Sequence, residues 1–204
     1  MFSIETERLR LRPFEDSDFD FLVTLNADTD VARFIGHGRP RTREESRDFL
    51  DHILSGYASH ERGHLLVCDK ASGRPVGRCG LTLLEAEADP APGETVRWYW
   101  FPGSAPAGMP IINETELGYV FGKAHWGRGY ATECAAAVRD YAFAELGLPS
   151  IVSAIAADNL ASKNVARKVG LVHEGERLAF GSVYECHRLR AAGWRQMQGD
   201  GSKS

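Results

Sequence analysis

A mixed α/β fold, with about seven strands that are mostly antiparallel and flanked by helices, follows from three stretches of the 204-residue sequence. The first is a pair of apolar runs, HLLVCD and PVGRCGLTLL, separated by Ala71-Ser-Gly-Arg74, which predicts an antiparallel hairpin turning at Gly73. The second is a strand, helix and strand succession from Glu114 to Ala156, which predicts one parallel pair with a right-handed crossover. The third is a closing hairpin, 171–179 and 182–190, around Gly181. Residues 1–190 are read as a single domain with an atypical insertion at 85–113, and 191–204 as a polar, disordered tail.

Taken in order, residues 4–14 alternate through Leu9 and Leu11 and close at Pro13, as a strand does. Phe19, Leu22 and Val23 then fall at helical spacing over 15–27, and a shorter helical piece over 28–35 ends near Gly36. Thr42 and Glu45 form a capping-box pattern that predicts a helix over 42–59, with Phe49, Ile53, Leu54 and Tyr57 inward. The 85–113 insertion is rich in proline and glycine, yet gathers Trp98, Tyr99, Trp100 and Phe101. Such clusters are commonly packing; the sharper expectation is that Trp98 and Trp100 wall a substrate pocket.

The central segment carries the chemistry. Leu117, Tyr119 and Phe121 alternate with Glu116, Gly118 and Val120 as a strand over 116–121. Ala131, Cys134, Ala135, Val138, Tyr141, Ala142 and Leu146 share one helical face, and Gly147 stops the helix. Between them, Gly127 and Gly129 lack the Cβ that would hold a ligand phosphate off the backbone, and the first helical amides have no partner in the helix. An anion fits there, although an ordinary strand-to-helix turn has the same parts. The nucleotide motifs fail: Arg128 and Gly129 stand where a P-loop needs Lys and Ser or Thr, and Thr132 where a dinucleotide fingerprint needs its third glycine.

The run W-G-R-G-Y-A-T-E, Trp126 to Glu133, resembles the acyl-CoA turn of the GNAT superfamily of N-acyltransferases, in its RimJ/RimL-type variant. A second match, Asn159-Leu-Ala-Ser162 leading through Lys168-Val-Gly170-Leu171, lies at the separation that branch has. The resemblance implies a central parallel strand pair splayed for acyl-CoA, with acetyl-CoA as co-substrate and no metal. Tyr119, Val120 and Phe121 would pair with the pantetheine amides, and Gly127, Arg128, Gly129, Tyr130, Ala131 and Thr132 would hold the diphosphate. Asn159 would hold the pantetheine, and Ser162 would bond the CoA sulfur and serve as general acid. Asn159 and Ser162 equally suit a helix cap, and Arg128 equally suits a solvated surface. Glu116 is the leading candidate base, with a surface ion pair as the alternative; Tyr184 is a second candidate acid.

Composition narrows the partners. A net charge of −4 and a pI near 6.0 give no basic surface for nucleic acid. No apolar run reaches membrane-spanning length, and the first residues lack a signal-peptide core, so a cytoplasmic protein is expected. Cys68, Cys79, Cys134 and Cys186 are scattered in apolar patterns, as buried reduced thiols are, and neither they nor the seven histidines show metal spacing. The acceptor would be a small-molecule amine or a protein N-terminus, and a homodimer stays open. The competing expectation is a catalytically silent acyl-CoA-binding regulatory module.

Overall fold

The structure, a computed structural model, describes residues 3–60, 63–100 and 102–200. In chain order the elements are β1 (Ile4–Glu5), β2 (Leu9–Pro13), α1 (Phe19–Ala27), α2 (Thr29–Ala32), α3 (Arg43–His60), β3 (His64–Asp69), β4 (Pro75–Glu87), β5 (Trp98–Tyr99), β6 (Ile111–Phe121), α4 (Tyr130–Ala144), β7 (Ser150–Ile155), α5 (Leu160–Lys168), β8 (Val172–Ala179), β9 (Ser182–Arg190) and α6 (Ala191–Asp200). Hydrogen bonding links the strands in the order β1-β2-β3-β4-β6-β7-β9-β8, with β5 on β4. Among the registered pairs only β6–β7 is parallel. The expected class is therefore present: an open, mostly antiparallel sheet with helices. The count exceeds seven because the first strand breaks at the Thr6–Leu9 turn and because β5 forms inside the insertion.

Contacts divide the chain into two compact units, one holding the chain up to Thr82 with Gly118–Val138, the other Leu83–Leu117 with the chain from Arg139 on. In the first unit, α3 starts with the expected capping box: Glu45 N donates to Thr42 Oγ1 at 3.1 Å, and Thr42 N to Glu45 Oε2 at 2.8 Å. Its apolar face sets Phe49, Leu50 and Ile53 against Leu66 of β3, Phe14 and Leu22. Leu22, Leu50 and Leu66 are fully buried, so truncating any one to alanine is worth about 2–5 kcal/mol. The β3–β4 hairpin turns at Gly73, whose φ of 69° favours glycine. Further along β4, Gly77 packs onto β6 so closely that a Cβ there would lie 2.4 Å from the Val120 carbonyl oxygen.

In the second unit, Leu84, Ala86, Trp98, Val152, Ala179, Tyr184 and Cys186 form the core. The parallel pair registers at Glu116↔Val152, and the next β6 carbonyl, that of Leu117, accepts the Ser153 hydroxyl at 2.7 Å. The insertion is tied down by β4 carboxylates. Buried Glu85 accepts from the amides of Gly103 and Ala105 at 2.6 and 3.1 Å, and Glu87 accepts from Arg97 N at 3.3 Å. The expectation of a disordered stretch from 191 is corrected over Ala191–Asp200. That segment forms α6, anchored by Trp194, which donates to Asp140 Oδ1 at 2.7 Å and stacks on Phe143 at 5.5 Å. Residues 201–204 lie outside the described residues. Cys79, Cys134 and Cys186 are buried and Cys68 half-buried, all four as free thiols.

Candidate active site

The turn between β6 and α4 is built within the first unit. Gly127 and Gly129 sit at φ 71° and 79°, where a Cβ is strained, and a Cβ on Gly127 would meet nothing within 4 Å. Because α4 starts at Tyr130, the first amide to find a helical carbonyl is that of Glu133, on Gly129 O at 3.0 Å. The amides of Tyr130, Ala131 and Thr132 precede it without an intrahelical partner, the arrangement that receives an anion at a helix start. These residues thus have the backbone disposition expected from the sequence.

Side chains far apart in the chain hold the turn. Tyr130 is buried; its hydroxyl donates to Asp69 Oδ2 at 2.7 Å, and its ring lies beside Phe121 and His125. That hydrogen bond is the largest cause holding the Asp69 carboxyl down at about 2, with the Ser72 hydroxyl and amide adding to it. Arg8 was missed entirely. It donates from Nη1 to the Arg128 carbonyl at 2.9 Å, pairs with Glu133 at 2.6 Å and lies over the Tyr130 ring at 4.8 Å. Thr6 Oγ1 donates to the same Glu133 at 2.6 Å. The alternation of arginines around Leu9 and Leu11 reads only as a solvated strand face, which is why Arg8 could not be singled out. On β6, Tyr119 and Val120 are half-buried, while the Phe121 carbonyl is taken by Trp126 Nε1 at 2.7 Å. Phe121 thus already serves Trp126 through its carbonyl.

The second unit gathers the other candidates. Glu116 accepts from Trp100 Nε1 at 2.6 Å, and Trp100 in turn lies 4.9 Å from Phe180 and 6.5 Å from Tyr184. Phe180 is held at φ 51° in the β8–β9 turn, a conformation L side chains seldom adopt, so its ring is presented by the turn itself. Burial first, then the Glu116 charge, raises the Tyr184 phenol, which keeps it protonated and able to donate. Trp98 differs from Trp100. It is 3% exposed within the core, under the Arg177 guanidinium at 5.5 Å, so the expected pocket wall gives way to packing at Trp98. Asn159 caps α5, its Oδ1 accepting from Ser162 N at 3.1 Å. The cap is thus real, and it leaves the Ser162 hydroxyl chemically distinct from the capping contact.

Among the described residues there is no group of His, Cys, Asp or Glu able to hold a metal ion, and no helix long and apolar enough to cross a membrane. The donor set is backbone amides, hydroxyls and one carboxylate. Residues 8–172 match the family model described as an acetyltransferase (GNAT) domain. The chain belongs to the GNAT acetyltransferase family. It is accordingly an acyltransferase. It is 28% identical over 171 residues to the FsC-acetyl coenzyme A-N(2)-transacetylase of Aspergillus fumigatus, covering 84% of this chain and 65% of the fungal one. Among solved structures, an acetyltransferase from Agrobacterium tumefaciens superposes with a TM-score of 0.69 at 27% identity, over 93% of this chain and 95% of that one. The ribosomal-protein-S5-alanine acetyltransferase of Vibrio fischeri shares the fold, with a TM-score of 0.66 at 18% identity over 95% and 99% of the two chains. This GNAT domain thus carries a turn suited to an anion in its first unit and a carboxylate set among aromatic rings in its second.

Proposed function

We propose that this acyltransferase uses acetyl-CoA to acetylate a primary amine by direct attack on the thioester, within a RimJ/RimL-like branch whose signature is the run from Trp126 to Glu133. The observation that carries the donor half is the start of α4: two glycines in the left-handed region followed by amides at Tyr130–Thr132 with no helical partner. The diphosphate is assigned to the amides from Gly127 to Thr132, with Arg128 adding charge. Backbone groups of Tyr119 and Val120 are assigned to the pantetheine, with the amide of Val120 as an oxyanion donor. Asn159 steadies the pantetheine.

In the reaction the neutral amine nitrogen attacks the thioester carbon, a C–N bond forms and the C–S bond breaks. The proton lost by nitrogen passes through water to Glu116, and the departing thiolate takes one from the Ser162 hydroxyl, which solvent restores. Glu116 has the geometry for a held base, because Trp100 fixes one of its oxygens at 2.6 Å. Trp100 orients the base and borders the acceptor. Tyr184, kept protonated, is the second candidate for the acid role.

Thiol release from acetyl-CoA, measured with a panel of free amino acids, polyamines and peptides with free N-termini, tests this. Release that depends on the acceptor supports the enzyme. Tight acetyl-CoA binding without release on any acceptor would instead favour the silent acyl-CoA-binding module.

A further inference from the structure

In the second unit one side chain is kept in a turn that its backbone disfavours. β8 and β9 are joined by Phe180 and Gly181 alone, since Ala179 pairs with Ser182, and both linking residues lie at positive φ, 51° and 74°. A two-residue hairpin connection with both φ values positive favours Asn-Gly or Gly-Gly, because a bulky side chain at its first position crowds the backbone. Among the described residues every other positive φ belongs to a glycine. Phenylalanine is thus held where asparagine or glycine would relax the turn, and strain of this kind persists where the surrounding structure gains from it.

The gain is at Trp100. Its ring lies 4.9 Å from that of Phe180 at an angle of 37°, nearer than Trp98 at 5.8 Å or Tyr184 at 6.5 Å. Phe180 and Trp100 are both half-buried, packed against the core that contains Trp98 and Tyr184. Trp100 depends on such contacts, because the β4–β5 pairing runs through Ala86↔Trp98 and Glu85↔Tyr99 and stops one residue short of it. The indole in turn donates from Nε1 to Glu116 Oε2 at 2.6 Å. A hydrogen bond weakens steeply as it bends, so whatever fixes the plane of the indole also fixes its hold on the carboxylate.

We propose that Phe180 is a positioning residue: its ring, delivered by the left-handed turn, holds the Trp100 indole so that Nε1 stays on the Glu116 carboxylate. The consequence for turnover rests on the assignment of Glu116 as the base in the proposed function, whereas the hold on the indole rests on the contacts alone. Tilted aromatic pairs stabilise beyond the area they bury, which gives the ring a hold that an aliphatic side chain of similar bulk lacks.

Two measurements on the full chain separate these claims. Hydrogen exchange of the Trp100 indole N–H, followed by NMR and assigned by its loss in Trp100→Phe, reads the hold without turnover. Phe180→Leu keeps apolar bulk and loses the ring, so exchange should quicken by roughly 3- to 10-fold, and Phe180→Tyr should retain the wild-type rate. Phe180→Asn suits the backbone of the turn better than phenylalanine and should lose the hold as fully, which separates the ring from the strain. The Trp194 indole, bonded to Asp140 at 2.7 Å in the same unit, is the control and should not change. Unchanged exchange at Trp100 in Phe180→Leu and Phe180→Asn, or an equal rise at Trp194, would overturn the proposal. Thiol release reads the consequence. In Phe180→Leu kcat should fall by roughly 3- to 10-fold with acetyl-CoA affinity kept, and the same substitution should change nothing further once Trp100→Phe has removed the indole N–H. An equal loss in both backgrounds, or no loss in either, overturns the route through Trp100. If no acceptor releases thiol, the transfer assignment fails while the exchange series still decides the hold.

Discussion

The turn at 126–133 and the insertion at 85–113 are each assigned one substrate, yet they are built in opposite ways. The turn is set by backbone conformation: two glycines at positive φ, a helix beginning at once after them, and side chains that clamp the result. Between the end of β4 and the start of β6 the described residues of the insertion form no regular element beyond the two-residue β5, and carboxylates on β4 and β6 tie them down. Glu85 gathers the amides of Gly103 and Ala105, Glu87 meets Arg97, and Glu116 takes the Trp100 indole. A donor common to many reactions can be served by a conformation that glycine spells locally. An acceptor particular to one enzyme is served by long-range side-chain bonds that can be exchanged without disturbing the turn.

That contrast can be broken most forcefully at Glu116. Glu116→Gln keeps an oxygen for Trp100 and removes the proposed base, so kcat should fall by roughly 10²–10⁴ while acetyl-CoA affinity by titration calorimetry stays; an unchanged kcat across pH removes Glu116 from the reaction. Next, Gly129→Val puts a β-branched residue at φ 79°, about 1–3 kcal/mol of strain, which should weaken acetyl-CoA binding by roughly 5- to 100-fold with the far-UV dichroism preserved. Glu85→Ala should do the reverse. Releasing two loop amides should cost about 1–3 kcal/mol in chemical denaturation and raise the acceptor KM several-fold, leaving the acetyl-CoA constant alone; a matching loss of acetyl-CoA affinity would abolish the distinction between the regions.

The smallest effect is expected at Tyr130→Phe and should show at neutral pH and fade in acid. Asp69 is held at about 2, below its ordinary 3.8, chiefly by the Tyr130 hydroxyl. A depressed carboxyl stabilises the fold above its unfolded value, and the contribution is lost as pH falls through the folded one. The melting temperature of the wild type should therefore drop between about pH 4 and pH 2, and Tyr130→Phe should flatten that drop by lowering the neutral-pH value while leaving the value near pH 2 little changed.

Elements whose cause is local were legible in the sequence: the Thr42–Glu45 box, the Gly73 and Gly181 turns, the helix stopped by Gly147, and the strand pair around Glu116. The backbone of the turn at 126–133 belongs with them, because glycine spacing states it directly. What was hidden depends on residues distant in the chain. Arg8 reaches Glu133 and the Arg128 carbonyl across more than a hundred residues, and nothing in its neighbourhood marks it. Trp98 and Trp100 are two apart on an extended segment and look alike in sequence, but only the partners on β6, β8 and β9 decide that one is core and the other meets Glu116. For the segment from Ala191, polarity hid an aromatic anchor: Trp194 finds Phe143 and Asp140, and that contact is enough to hold a helix.

Gly77 has an ordinary backbone angle, so no turn or cap explains it; the space it leaves is filled by the strand next door. With the Val120 carbonyl oxygen 2.4 Å from where a methyl would begin, the hairpin and the end of β6 are geared to one another like adjoining teeth. The hydrogen bond from Gly122 N to Val76 O, 3.0 Å, fastens the same joint one residue further on. A displacement of the hairpin is thereby passed to the start of the donor turn without any intervening side chain, and the two must move as one piece.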